Sequence, residues 1–177
     1  MLLSNALRRG SRSVRRPILK SRMQQLMADP ATRRVLRRFY RAMENYQASD
    51  YDKTGFREAY DALPEEVKLA IAHPKRGLKK LWRGSDSQQH GEPAISWTSS
   101  RGWARMFGGN IFPFTDLASF DAAIATDRVR ALAENVDGLS DYEVSDDEGE
   151  VIVLGARWKR RMTHDELKQQ RWEPRRY

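Results

Sequence analysis

The chain changes its hydrophobic periodicity at His73-Pro74, and this change constrains the fold more than any other feature of the sequence. Before it, apolar residues recur at the three- and four-residue spacing of amphipathic helices. After it, short apolar segments alternate with clusters of Gly, Pro and Asp, which is typical of strands joined by turns. Because helical and strand-like segments are segregated along the chain, we expect an α+β fold with an N-terminal helical lobe.

The helical part contains four predicted helices, at about residues 18–27, 31–47, 53–63 and 64–72. In the second helix, the apolar side chains fall on one side of a helical wheel, and the opposite side carries Arg33, Arg34, Arg37, Arg38 and Arg41. Two interpretations of the arginine side remain open. It is either a solvated helix face or a docking surface for nucleic acid or an acidic protein.

The second part of the chain predicts strands at residues 79–83, 94–98 and 150–154. Weaker strand candidates at 120–125 and 129–132 are alanine-rich and equally compatible with a helix. Residues 157–162 are expected to pair with the strand at 150–154. Ser99 or Ser100 caps a short helix that ends at Gly108-Gly109, and a capping box at Thr163 opens a C-terminal helix. We therefore expect one domain, with a helical lobe (18–75), a β-rich core (76–163) and a C-terminal helix (164–177).

Charge is distributed very unevenly. Residues 1–41 contain twelve Lys or Arg and one acid, Asp29, whereas the rest of the chain contains 20 basic and 23 acidic residues. We expect residues 1–17 to form a basic flexible arm, because arginines among Ser, Gly and Pro cannot bury enough apolar surface to become ordered.

The chain has no cysteine and its three histidines are far apart, which argues against a metal site. It contains no apolar run of membrane-spanning length, and a cytoplasmic monomer is expected.

Three short motifs follow one another in the β-rich part, each at the edge of a predicted strand: Leu81–Gly84, Ile95–Ser99 and Glu148–Val153. In this order they resemble the three motifs of the Arg-Ser-Glu mono-ADP-ribosyltransferases, the class of cholera-like toxins and phage-encoded modifiers of host proteins. The resemblance covers about residues 79–159. It implies a split β-sandwich core, NAD as the substrate that donates ADP-ribose, and a host or target protein as the acceptor.

Arg83 matches the arginine of the first motif. A guanidinium is a planar fork of donors that can bind the NAD pyrophosphate in a bidentate manner, and Gly84 would leave room for the ligand. The alternative interpretation is a strand arginine held in a salt bridge.

Ser96 and Glu150 match the central residues of the other two motifs. Cleavage of the bond between nicotinamide and ribose passes through an oxocarbenium-like state, which a carboxylate beside the sugar stabilises. Glu150 would accept a hydrogen bond from a ribose hydroxyl, Ser96 would orient Glu150, and Thr98 would support the strand. Trp97 stands where the family often has threonine.

Glu148 lies two residues before Glu150, so on a strand both carboxylates point to the same side. In the family a glutamate at this position accompanies arginine acceptors, which implies transfer to arginine. The alternative is that Asp146, Asp147, Glu148 and Glu150 form a solvated acidic turn. Phe107, and with less support Trp103, are candidates for the nicotinamide pocket, although aromatic residues at helical spacing are more often core.

Two other functions remain open. An NAD glycohydrolase of the same fold would use the same Arg and Glu and transfer ADP-ribose to water. A nucleic-acid-binding protein without catalysis would explain the basic residues 1–41, the basic front of the chain, but not the Ser and Glu motifs. A phage-like modifier would act on host transcription or translation machinery, and the basic front would guide it to such nucleic-acid-associated targets.

Overall fold

The structure is a computed structural model that describes residues 22–49, 52–144 and 149–169. The expected basic arm (1–17), Glu148 and the end of the C-terminal helix (170–177) lie outside the described residues. The described part combines helices with an antiparallel sheet, which is compatible with the expected α+β class.

The helical lobe contains α1 (22–28), α2 (Pro30–Ser49), α3 (Lys53–Asp61) and α4 (Glu65–Ile71). Helix α2 begins where Asp29 accepts hydrogen bonds from the backbone N–H groups of Ala31 and Thr32, as expected of an N-terminal cap. Helix α3 begins in the same way, because Asp52 accepts from the N–H of Gly55. A 3₁₀ helix, Lys75–Lys80, leads from the lobe into the β-rich part.

The described residues that follow form β1 (Trp82–Ser85), β2 (Ala94–Thr98), α5 (Arg101–Ala104), β3 (Asn110–Pro113), a 3₁₀ helix (Phe114–Asp116), β4 (Leu117–Ser119), β5 (Ala122–Ala125), α6 (Thr126–Asn135), β6 (Glu150–Leu154), β7 (Arg157–Trp158) and α7 (His164–Gln169). Five strands form one antiparallel sheet in the order β3-β1-β2-β6-β5, and β4 pairs with β7 in a small second sheet. Within the large sheet, β1 and β2 pair only at Trp82 and Thr98.

The two faces of the large sheet bury two separate hydrophobic clusters, because side chains alternate along each strand. Ala94, Ile124 and Ile152 pack against the helices α1, α2, α3, α4 and α6. Ile95, Trp97 and Val151 pack on the other face against the small sheet and the segments beside it. The helical lobe therefore covers one face of the strands that carry the candidate site, and the small sheet covers the other.

Several predicted segments differ from the structure. The short helix that was expected to end at Gly108-Gly109 ends at Ala104, and turns follow it. Residues 129–132 belong to helix α6, where Val129, Leu132 and Ala133 form one buried face at helical spacing. Strand β1 begins at Trp82 rather than Lys79, since the preceding residues form the 3₁₀ helix.

The segment from Arg157 pairs with β4, and the expected pairing with β6 is wrong. Strand β6 already has neighbours on both edges, β2 and β5.

Candidate functional site

Ser96 and Glu150 lie on the face of the large sheet that the helical lobe covers. The antiparallel register aligns Thr98 with Glu150 and Ser96 with Ile152, so Ser96 is a diagonal neighbour of Glu150. At this spacing side chains on adjacent strands can make contact. The Ser96 hydroxyl donates a hydrogen bond of 2.6 Å to Glu150 Oε1. The pair that the motifs predicted is therefore brought together by the β2–β6 register.

A tyrosine from the helical lobe extends this pair. Tyr46, near the end of α2, lies 2.8 Å from Ser96 Oγ through its hydroxyl, and its side chain is 2% exposed. A carboxylate can only accept, so the serine proton is directed at Glu150 and Tyr46 donates to the serine oxygen. The result is a directed chain of hydrogen bonds that runs from Tyr46 through Ser96 to Glu150.

The second oxygen of Glu150 is also held. Gln47 Nε2 donates to Glu150 Oε2 over 2.8 Å, and the main-chain carbonyl of Glu150 accepts from Thr126 Oγ1 over 2.9 Å. Glu150 is half-buried. Because donors bind both of its oxygens, the carboxylate is held in one orientation.

Sequence reasoning missed Tyr46 and Gln47 as site residues. Tyr46 was predicted only as part of the apolar face of α2, and Gln47 as the last residue of that helix. They lie 50 and 103 residues from their partners Ser96 and Glu150. No periodicity or motif signals a contact over that separation.

Arg83 is tied to the same serine through the main chain. One guanidinium nitrogen donates to the carbonyl oxygen of Ser96 over 2.6 Å, and another donates to Gln89 Oε1. Arg83 pairs directly with Phe112, whose side chain belongs to the cluster on the other face of the sheet. The arginine therefore approaches Ser96 at the edge where β1 and β2 diverge and is not stacked above Glu150. Both of these acceptors are uncharged, and the alternative interpretation, a salt bridge, stays a prediction.

Gly84 has a packing role that the sequence did not indicate. A Cβ at this position would lie 1.5 Å from the carbonyl oxygen of Ala104, so α5 lies directly on the strand backbone. Contact of Gly84 with a ligand stays a prediction.

Thr98 is buried, and its hydroxyl oxygen accepts a hydrogen bond from the N–H of Ser100. Ser100 in turn caps α5, because its hydroxyl oxygen accepts from the N–H of Trp103. The expected supporting role of Thr98 thus includes holding the start of α5.

The aromatic residues after β2 are exposed. Phe107 is 55% and Trp103 40% exposed, and Met106 between them is also exposed. The interpretation of Phe107 and Trp103 as core residues is therefore wrong. Large apolar side chains that face solvent are available to contact a ligand or partner. Their contact with nicotinamide stays a prediction.

Glu148 belongs to the segment 145–148, outside the described residues, and its position relative to Glu150 is not described. The chain returns at Gly149, which has a φ of +59° that favours glycine. A Cβ there would also lie 2.6 Å from Ser99 Oγ. Gly149 is thus required by the turn that delivers Glu150 to the start of β6.

Among the described residues, His, Asp and Glu side chains form no group of three that could hold a metal ion. The same part of the chain contains no helix that is both long and apolar enough to span a bilayer.

The chain was compared with protein families, with curated proteins and with solved structures, and none of the three comparisons gave a match.

Proposed function

We propose that the chain is a mono-ADP-ribosyltransferase that transfers ADP-ribose from NAD to an arginine side chain of another protein and releases nicotinamide. The fold that goes with this proposal is the ADP-ribosyltransferase-like split β-sandwich. The support is the resemblance of the three motifs together with the contacts among the residues that they name.

The observation that carries the proposal is the hydrogen bond from Ser96 to Glu150. The motif resemblance requires these two residues, 54 positions apart, to act as a unit, and their side-chain oxygens lie 2.6 Å apart. Gln47 binds the other carboxylate oxygen. A carboxylate fixed at both oxygens loses little orientational freedom when charge develops beside it, which is the condition for electrostatic stabilisation of a transition state.

In the proposed reaction the bond between the nicotinamide nitrogen and ribose C1′ breaks, and its electron pair leaves with nicotinamide. The ribose then carries oxocarbenium character, which the negative charge of Glu150 stabilises. A guanidinium nitrogen of the acceptor forms the new bond to C1′ and loses one proton. By the resemblance, Glu148 accepts that proton and holds the acceptor arginine, and Arg83 binds the pyrophosphate.

The test is incubation of the full chain with NAD labelled in its adenylate part and a cell lysate. Label on protein, with the modified residue identified as arginine by mass spectrometry, is the expected result. Free ADP-ribose without labelled protein would mean that the chain is an NAD glycohydrolase. The absence of both products would contradict an enzymatic function on NAD.

Glu150→Gln should abolish transfer and leave NAD affinity within about tenfold, because the carboxylate acts on charge that is present only in the transition state. Glu134→Gln is the matched control, since Glu134 is an exposed carboxylate on α6 that forms an ion pair with exposed Arg130. It loses the same charge and should retain full turnover. Unchanged turnover in Glu150→Gln would remove the central residue of the proposal.

A further inference from the structure

The exposed side of α2 carries four arginines that share one face of the helix. Arg34, Arg37, Arg38 and Arg41 are all exposed, and we call these four residues the arginine stripe. The stripe lines an open groove of about 400 Å³ between α2 and the start of α3. The other residues of the groove are Ala42, Asn45, Asp52 and Gly55. The charged side chains among the described lining residues are thus four cations and one carboxylate. That carboxylate, Asp52, accepts from the N–H of Gly55 as the cap of α3.

The charge of the stripe is largely uncompensated. Within the described residues, only Arg38 forms an ion pair, with Glu58 at 3.4 Å, and both side chains are 63% exposed. Such an exposed pair contributes little. Other arginines of the lobe have structural partners, as Arg33 does when it donates to the carbonyl of Met27 at the start of α2. Among the described residues, Arg34, Arg37 and Arg41 make no such structural hydrogen bond, so the charge of the stripe is available to an external anion.

We propose that the arginine stripe binds a nucleic-acid duplex through its phosphate backbone. Seven residues separate Arg34 from Arg41, which is about 10 Å along a helix at about 1.5 Å per residue. Phosphates along one strand of a duplex recur at about 3.4 Å of helix axis, so the stripe spans about three of them. Arginine binds phosphate with paired donors, and a row of exposed guanidinium groups matches a row of phosphates.

The composition of the groove favours a duplex over other anionic partners. Surfaces for single strands combine basic residues with aromatic side chains on which bases stack, and none of the described residues that line this groove is aromatic. An interface with an acidic protein would need an apolar centre, and among the described lining residues only Ala42 has an apolar side chain. The proposal does not depend on the transfer reaction, since none of its residues belongs to the site at Glu150.

The experiment measures the affinity of the full chain for a 20-base-pair duplex by fluorescence anisotropy across a series of salt concentrations. Each phosphate contact contributes about −0.9 to the slope of log K against log salt. Arg37→Gln/Arg41→Gln should therefore make the slope shallower by about 1.8 and weaken binding in 0.1 M salt by at least about tenfold. Arg37→Lys/Arg41→Lys, which keeps both charges, should retain the slope of the unmodified chain.

Lys79→Gln/Lys80→Gln is the matched control, because both lysines are exposed on the 3₁₀ helix and their replacement removes the same charge. Its slope should equal that of the unmodified chain. An unchanged slope in the arginine variant, or an equal change in the lysine control, would overturn the proposal. Arginine-dependent binding that is tighter to polyglutamate or to anionic phospholipid vesicles than to the duplex would overturn it as well. Circular dichroism of each variant verifies that the helices are intact.

Discussion

Tyr46→Phe tests the hydrogen-bond chain that leads to Glu150, and it does so with the smallest possible change. The ring of Tyr46 is buried and packs against Phe56, with 5.0 Å between ring centroids. Phenylalanine keeps that packing and removes only the hydroxyl that donates to Ser96. Ser96 then retains its bond to Glu150 but loses the donor that fixes the direction of its own proton. In this chain Tyr46 is a positioning residue, since it acts on Glu150 through Ser96.

The expected magnitude follows from the loss of one buried hydrogen bond. Such a bond contributes about 0.5–1.5 kcal/mol to stability. If the same free energy is expressed in the transition state, kcat/KM for NAD falls about two- to tenfold, because about 1.4 kcal/mol corresponds to a factor of ten. The free energy of unfolding should fall by a similar amount.

Tyr40→Phe is the matched control on the same helix. Tyr40 is fully buried, and its hydroxyl donates to the carbonyl of Val129 over 2.9 Å, away from Ser96 and Glu150. Both variants should therefore lose about 1 kcal/mol of stability in urea unfolding. Only Tyr46→Phe should lose activity. In a Ser96→Ala background Tyr46→Phe should have little further effect on activity, because the two residues act as one chain.

Equal kcat/KM in Tyr46→Phe and Tyr40→Phe would refute the reasoning, as would fully additive losses in the double variant. Either result would mean that the Tyr46 hydroxyl stabilises the contact between lobe and sheet without influencing the carboxylate.

Three further predictions concern the backbone, the pH dependence and the ligand. Gly84→Ala should lower the free energy of unfolding by about 3 kcal/mol, because its Cβ would overlap the carbonyl of Ala104. Gly102→Ala is the control and should be neutral or slightly stabilising, since its Cβ would have no neighbour closer than 3.5 Å. Equal melting temperatures of the two variants would contradict this prediction. Burial lowers the pKa of His73 below its usual value of about 6.5, so the unfolded chain takes up this proton first. The free energy of unfolding should therefore fall as the pH drops through about 6.5, down to the lower pKa of the folded state, and urea unfolding of His73→Gln at pH 7.5 and 5.5 should show a smaller drop than the unmodified chain. Arg83→Ala should weaken NAD binding about tenfold to a hundredfold, because a hydrogen bond to a charged group contributes about 1.5–3 kcal/mol. Equal NAD affinity of the variant and the unmodified chain in calorimetry would contradict the role of Arg83 in binding the pyrophosphate.

The types of most elements could be predicted from local sequence. The buried strand Glu150–Leu154 has the apolar β-branched composition of a central strand, and its bounds match the prediction. The capping box is present as expected, since Thr163 Oγ1 accepts from the N–H of Glu166 and Glu166 Oε2 accepts from the N–H of Thr163. These features depend on residues within a few positions of one another, which is why the sequence is sufficient to identify them.

Where the local sequence was compatible with more than one structure, tertiary packing determined which one formed. The alanine-rich segment around Val129 fits either a strand or a helix, and it is helical because one face of α6 is buried against the lobe. The segment at Arg157 follows β6 after only two residues, yet it cannot pair with β6 because both edges of that strand are occupied. Sheet order is a property of the whole fold, and no short window contains it.

The candidate site also has features that the local sequence indicates and features that only tertiary packing fixes. The sequence alone determined which residues are candidates for the proposed chemistry, since Arg83, Ser96 and Glu150 stand in motifs whose order and residue types resemble those of a known class. Only the tertiary structure decided how they are held: the β2–β6 register sets Ser96 beside Glu150, and α2 brings Tyr46 and Gln47 to them from the helical lobe. The physical reason is that a side chain's chemistry is local to its residue, whereas its partners are fixed by the packing of lobe against sheet, which depends on the whole chain.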